Sequence, residues 1–179
     1  MNETIRLILD RRSVRKFLPT PIEEAMIEAI VSAGTYAPSA RNRQNWHFTV
    51  VTNKAMIEDM HRLMQKGMES RGIKVDPAEH VFYHAPLVIV VSSLLEGFSE
   101  MNAGCAIQNM AIAAKSLWLD SCVIGQTRFM YTQTNKVDIH RMLKVPMDYE
   151  HDCSICIGYR DGDNPAPKPR RDGVVDYLR

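Results

Sequence analysis

Leu87-Val-Ile-Val-Val91 is an unbroken apolar run directly after Pro86, and shortly beyond it Met101-Asn-Ala-Gly-Cys-Ala-Ile-Gln-Asn-Met-Ala-Ile-Ala-Ala114 contains no charged side chain. The first run reads as a strand covered on both faces. The second has helical length but falls short of the roughly 20 apolar residues that cross a bilayer, and it carries Asn102, Gln108 and Asn109. A helix without a charged face must be enclosed on every side. In a chain of 179 residues this leads us to expect an oligomer with the helix near the interface, the alternative being a helix wrapped entirely by its own chain.

Working outward, each flank supplies further elements. Trp46-His-Phe-Thr-Val-Val-Thr52 alternates and is β-branched, which marks a strand. Asn53 then caps a helix whose Met56, Ile57, Met60, Leu63, Met64 and Met68 recur at helical spacing, a stripe that reads as core packing. Residues 72–84 read as a surface segment. Nearer the N-terminus, Asn2 can cap a short helix through Leu9, followed by a polar turn and a short extended piece over 10–16. Thr20-Pro-Ile-Glu23 offers a cap, a helix-starting proline and a capping-box glutamate; Ile22, Met26, Ile30 and Ala33 give that second helix its stripe, and Gly34 its stop. Downstream, Ser99 is placed to cap the uncharged helix, while Cys122-Val-Ile-Gly125 and Ser154-Ile-Cys-Ile157 read as buried strands. A helix over 134–143 lies between them and is closed by Pro146. The chain reads as a single domain over 1–179, with a proline-stiffened, charged arm over 164–179.

Charge is nearly balanced, 22 Lys and Arg against 21 Asp and Glu, so no general attraction to nucleic acid or to a membrane surface is expected and any basic site must be local. The early apolar run Leu7-Ile8-Leu9 is too short for a secretory signal, and a cytoplasmic protein is the expectation. Cys153 and Cys156 have the spacing of a redox or zinc pair, but residues three apart on a strand point to opposite faces, so we expect buried spectator thiols. His80 and His84 stand four apart and could share a metal ion only on a helix, which Pro86 disfavours; no metal site is expected. The absence of G-x-S-x-G, Walker and G-x-G-x-x-G patterns leaves hydrolase, nucleotidase and Rossmann readings without support.

Two clusters carry chemistry. Arg11, Arg12, Ser13 and Arg15 place three guanidiniums and a hydroxyl within five residues, a set suited to bidentate capture of phosphate, although a solvated basic turn has the same composition. In Ala37-Pro-Ser-Ala-Arg-Asn-Arg-Gln-Asn-Trp-His-Phe48 a polar turn runs straight into a strand, and Asn42 and Gln44 can each donate and accept, as a heterocycle edge or a sugar alcohol requires.

Together these motifs, R-R-S-x-R, a T-P helix start, A-P-S-A-x-N-x-Q-x-W-x-F, I-Q-N-M-A-I-A-A, a short V-I-G strand and a basic P-R-R near the end, resemble the FMN-dependent nitroreductase family along essentially the whole chain. The resemblance implies an α+β fold, an antiparallel-rich central sheet flanked by helices, in an intertwined homodimer with FMN at the subunit interface. It implies NADH or NADPH as donor and a small, electron-poor acceptor such as a nitroaromatic or quinone, reduced in a ping-pong cycle through flavin N5 without a side-chain nucleophile or general base. By the same resemblance Arg11, Arg12 and Ser13 hold the FMN phosphate and ribityl chain, joined at the phosphate by Arg170 or Arg171, and Arg15 stands near the flavin N1 and C2 carbonyl. Pro38, Ser39, Ala40, Asn42 and Gln44 come from the other subunit, while Ile124, Gly125 and Gln126 face the pyrimidine edge and N5. Three positions depart from the family pattern. Arg41 falls near the open flavin face, where with Arg43 it could favour an anionic substrate or narrow the cavity. Asn45 replaces the usual proline, and Trp118 a usual glycine. A non-catalytic FMN-binding redox sensor and a flavin-fragmenting or dehalogenating member are the alternatives.

Overall fold

The computed structural model describes residues 1–132 and 134–179. Four strands, β1 (Trp46–Val51), β2 (Leu87–Leu94), β3 (Asp120–Ile124) and β4 (Tyr149–Gly158), pair antiparallel in the order β1-β2-β4-β3. Five helices flank them: α1 (Glu3–Asp10), α2 (Glu24–Thr35), α3 (Lys54–Glu69), α4 (Ser99–Ser116) and α5 (Lys136–Leu143). The α+β architecture is the one that the resemblance implies.

β2 is central and apolar on both sides because both sides are covered. Val88 and Val90 join Cys156 and the α3 residues Ile57, Met60 and Met64 on one face. Leu87, Ile89 and Val91 join Ile155, Ile157 and the α2 and α4 residues Ile30, Ala106 and Met110 on the other. Each such aliphatic side chain stabilises the fold by about 1.5–3 kcal/mol relative to exposure. The same alternation places Cys156 in the α3-side core and Cys153 against the α4-side core, so the two thiols face apart.

Asn2 and Asn53 cap α1 and α3, each side-chain oxygen accepting an amide N–H at 3.0 Å, from Ile5 and Met56. Other boundaries differ from the sequence reading. α2 begins at Glu24 with no side-chain cap, and Thr20 and Pro21 precede it in irregular chain. Gly34 lies inside α2; a Cβ there would stand 2.4 Å from Met110 Cε, so the glycine permits close helix packing rather than ending the helix. Ser99 is within α4, which starts after Phe98 without a side-chain cap. Residues 72–84 are not all surface, since His80, Val81 and Phe82 are buried under α3.

α4 packs Asn102, Ala103, Ala106, Ile107, Met110, Ala111 and Ala114 inward. Met101, Gly104 and Gln108 remain exposed as an uncharged stripe along its other side. α1 contributes no buried residue at all, and its Ile5, Ile8 and Leu9 are uncovered.

Gly67 of α3 meets the backbone of the 3-10 turn Gly125–Met130, where a Cβ would come within 1.7 Å of the Phe129 carbonyl oxygen. Gly67→Ala should therefore destabilise the protein by about 2 kcal/mol, the cost of overpacking against rigid backbone exceeding the gain in helix propensity. Urea unfolding at fixed protein concentration measures this; an unchanged or raised midpoint would refute the close approach.

Candidate functional site

After α1 the chain runs beside the edge strand β3. Ser13 forms a parallel bridge with Ser121, and the Val14 N–H donates to the Ser121 carbonyl at 3.0 Å. This holds Arg11, Arg12, Ser13 and Arg15 along the β3 edge. The neighbouring acids are already taken: Lys115 Nζ lies 3.0 Å from Asp10 and 3.1 Å from Asp120, and Arg160 lies 2.6 Å from Asp120. Among the described residues Arg11, Arg12 and Arg15 pair with no carboxylate. The Nε atoms of Arg11 and Arg12 are buried and lack a hydrogen-bond partner, although Arg12 Nη1 donates to the Leu9 carbonyl at 2.6 Å. Buried guanidinium donors without an acceptor call for an anion, and a phosphate fits them.

Beyond Ser13, the order along β3 brings Ile124, Gly125 and Gln126 to the same edge, with Ile124 buried and the other two exposed. Arg15 stands beside Cys122 and the Tyr83 hydroxyl, which hold its guanidinium charged, the sulfur more strongly. Arg170 and Arg171 lie exposed on the arm. The arm's first residue is anchored nearby, the Asn164 side chain donating to the Asp10 carbonyl at 3.0 Å.

Pro38, Ser39, Ala40, Arg41, Asn42 and Gln44 form a tight loop at the other edge of the sheet, before β1. Arg41, Asn42 and Gln44 all adopt positive φ, 56°, 53° and 50°, a conformation that costs on the order of 1 kcal/mol or more per residue. Ser39 Oγ accepts from the Gln44 N–H at 3.0 Å, and Gln44 Nε2 donates to Asn42 Oδ1 at 3.1 Å. Asn45 supplies the anchor: its side chain donates to the Leu94 carbonyl at 2.9 Å and accepts from Asn102 at 3.0 Å. Asn102 Oδ1 in turn accepts from the Ala40 N–H at 3.1 Å. Asn45 thus ties the loop to β2 and α4, using a side chain that proline would lack. Arg43 pairs with Glu96, whereas Arg41 projects into solvent without an ion pair among the described residues. Trp118 sits at φ 63° in the α4–β3 turn, 90% exposed.

The histidines come together without a helix. In the turn after residue 79, Tyr83 and His84 take φ of 54° and 57°, which stacks the His80 ring on His84 at 4.3 Å and on His61 at 4.2 Å between centroids. Glu58 Oε1 lies 3.4 Å from His80 Nε2, so a helix is not required to gather Glu58, His80 and His84. His80 Nδ1 accepts the Phe82 and His84 N–H groups at 3.2 and 3.3 Å. That places the ring proton on Nε2, facing Glu58, and a metal ion bound there would have to displace it and leave an imidazolate. The cluster borders an apolar cavity of about 530 Å³ between the α2 start, the β1–α3 junction and Pro86, apart from the arginines. From the sequence, Asn45 stood out only as a replaced proline and His80 only as half of a possible metal pair; the Asn45–Asn102 contact joins residues distant along the chain and had no local signal.

Residues 8–159 match the Nitroreductase family, and the chain belongs to that family. It superposes on a nitroreductase with bound FMN from Bacteroides fragilis with a TM-score of 0.91 and 29% identity, covering all of both chains. It is 27% identical to the nitrobenzene nitroreductase of Ectopseudomonas oleovorans, covering 89% of this chain and 87% of that one. It is also 27% identical to the NADPH-flavin oxidoreductase of Vibrio harveyi, over 95% of this chain and 70% of the relative.

Burial perturbs several groups between the sheet and its cover. His151, bonded to Thr127 Oγ1 at 2.7 Å, is held down to about 4, and His80 is likewise lowered to about 4 by burial and by His61 and His84. Burial raises Asp152 to about 6. Below the ordinary histidine value of about 6.5 the unfolded chain binds protons that the folded histidines refuse, so stability falls as pH drops towards 4. Asp152 acts in the opposite sense, retaining when folded a proton that the unfolded chain releases above about 4. With two histidines against one carboxyl, stability should decline on the order of 2 kcal/mol between pH 6.5 and 4. His151→Asn should remove most of the decline, because Asp152 then nearly offsets the one histidine that remains. Urea midpoints across this range check it, and a flat wild-type profile would contradict the burial of these rings.

Proposed function

We propose that this chain is an FMN-dependent oxidoreductase that takes electrons from NADH or NADPH and passes them to a small electron-poor acceptor. The observation that carries the reading is the set of guanidiniums of Arg11, Arg12 and Arg15, left without carboxylate partners beside β3, with the Arg11 and Arg12 Nε atoms buried and unpaired. These donors and Ser13 would hold the phosphate and ribityl chain, with Arg170 or Arg171 closing on the phosphate. Arg15 would face the N1 and C2 carbonyl edge, where a fixed cation stabilises negative charge by a few kcal/mol in a dry site. Ile124, Gly125 and Gln126 would line the pyrimidine edge and N5. The flavin supplies the two-electron chemistry when bound. The chain's part is to bind it, orient it and set its electrostatics. No side-chain nucleophile is needed.

The homodimer is part of the proposal. Pro38, Ser39, Ala40, Asn42 and Gln44 and the arginine cluster lie on opposite edges of the sheet. Three strand spacings, roughly 14 Å, separate those edges. A two-fold related copy brings the loop of one protomer to the arginines of the other. The uncovered Ile5, Ile8 and Leu9 of α1, the Met101 stripe of α4, and Val174, Val175, Tyr177 and Leu178 of the arm supply apolar surface for that contact. We place the protein in the cytoplasm, a reducing compartment that would keep the cross-strand neighbours Cys122 and Cys156 as thiols. No helix among the described residues is long and apolar enough to cross a membrane.

Anaerobic addition of NADH and of NADPH to the FMN-loaded protein tests the activity. Bleaching of the yellow colour by one nucleotide and its return with a nitroaromatic or quinone is expected; flavin that neither nucleotide reduces would favour a redox sensor. Arg41 bears on the choice of acceptor. As a solvent-facing cation with no ion pair among the described residues, it should attract an anionic acceptor modestly. Arg41→Ala should raise KM for 4-nitrobenzoate about threefold while leaving that for neutral nitrobenzene unchanged, as steady-state kinetics would show. An equal effect on both acceptors would remove Arg41 from substrate selection.

A further inference from the structure

We propose that the apolar cavity beside His80 is a second binding site, for a small neutral alcohol or phenol whose hydroxyl bridges His80 and Glu58 while its hydrocarbon body fills the cavity. The site shares no residue with the one proposed for the flavin.

The cavity has the build of a ligand pocket. Its volume, about 530 Å³, lies within the roughly 300–1,000 Å³ of small-molecule sites. Ile27, Ile57, Ala85 and Leu87 give it a buried floor, each no more than 4% exposed. Pro19 and Lys54 stand exposed at its mouth, so the floor is open to a ligand from one side. An aliphatic floor of this kind rejects a charged or strongly polar body.

Hydrogen-bonding groups converge at one end. His80 Nδ1 is fully engaged by its own turn, accepting the Phe82 and His84 N–H groups, so the ring proton resides on Nε2. The His80 side chain is 4% exposed, yet Nε2 has no hydrogen-bond partner. Glu58 Oε1, at 3.4 Å, is close to it without forming a hydrogen bond. The ring cannot easily turn to another acceptor, because it stacks on both His61 and His84. Glu58 and His80 both line the cavity. A buried donor thus lies beside a carboxylate that does not satisfy it, at the polar end of an apolar space.

That pair selects the functional group. A carboxylate ligand would be repelled by Glu58 and has no proton to give it. An ammonium ion has no lone pair for the Nε2–H. A hydroxyl meets both needs through one oxygen, accepting from His80 and donating to Glu58. Water would answer the polar end alone, whereas the aliphatic floor calls for an apolar body joined to that oxygen.

Calorimetric titration of the FMN-loaded protein with 4-butylphenol, 4-butylanisole and butylbenzene tests the site. The three share a body, but the first both accepts and donates, the second only accepts and the third does neither. The phenol should bind with a Kd on the order of 100 μM, the anisole about tenfold more weakly and butylbenzene more weakly still. Glu58→Leu should weaken the phenol about tenfold and leave butylbenzene unchanged. Glu58→Gln, which keeps a neutral acceptor oxygen, should fall between the wild type and Glu58→Leu. An excess of nitrobenzene should leave the phenol's affinity as it was. No binding of 4-butylphenol at millimolar concentration would overturn the site. Equal affinities for the three ligands, or an equal loss of all three in Glu58→Leu, would overturn the hydroxyl bridge. Displacement of the phenol by nitrobenzene, with no response to Glu58→Leu, would put it at the flavin and overturn the cavity as its site.

Discussion

The bridge between Ser13 and Ser121 is the contact on which the candidate site depends. It fastens an irregular segment to the edge of the sheet, and so fixes three arginines beside β3 that would otherwise be a solvated turn. Electrostatics around the bridge are partitioned. Lys115 and Arg160 neutralise Asp10 and Asp120, which leaves Arg11, Arg12 and Arg15 without internal counter-ions. The arrangement leaves positive charge and unpaired donors in place for an anion from outside, at the expense of intramolecular ion pairs.

A second constraint sits at the opposite edge. The loop before β1 holds three non-glycine residues at positive φ, and the buried Asn45–Asn102 pair binds it to β2 and α4. Satisfied buried amides of this kind rigidify a loop because any movement leaves a polar group unpaired in a low-dielectric setting. The His80 turn works by the same rule, with an imidazole in place of an amide. Strain and compensation thus occur together at both polar loops, whereas the other non-glycine residues at positive φ, Trp118 and Lys144, stand singly at turns.

Much of this was legible along the chain. The double covering of Leu87–Val91, the Met-rich stripe of α3, the asparagine caps of α1 and α3 and the opposed cysteines follow from periodicity and local hydrogen bonding, which act over a few residues. The failures share a cause. Gly34 has the composition of a helix stop, but Met110 of another helix claims the space beside it. Thr20 and Pro21 form a good start signal, yet α2 opens at Glu24. Residues 72–84 are polar enough to read as surface, yet Phe82 is fully buried because α3 lies over it.

By itself the sequence determined the element types, the two polar clusters and the family resemblance, since each is written in short-range pattern. Tertiary structure alone decided that Arg11, Arg12 and Arg15 go without carboxylates, that Asn45 and Asn102 meet, and that His80 faces Glu58. Those outcomes depend on which distant groups compete for the same partner, and competition between residues far apart in the chain is resolved only when the sheet brings them together.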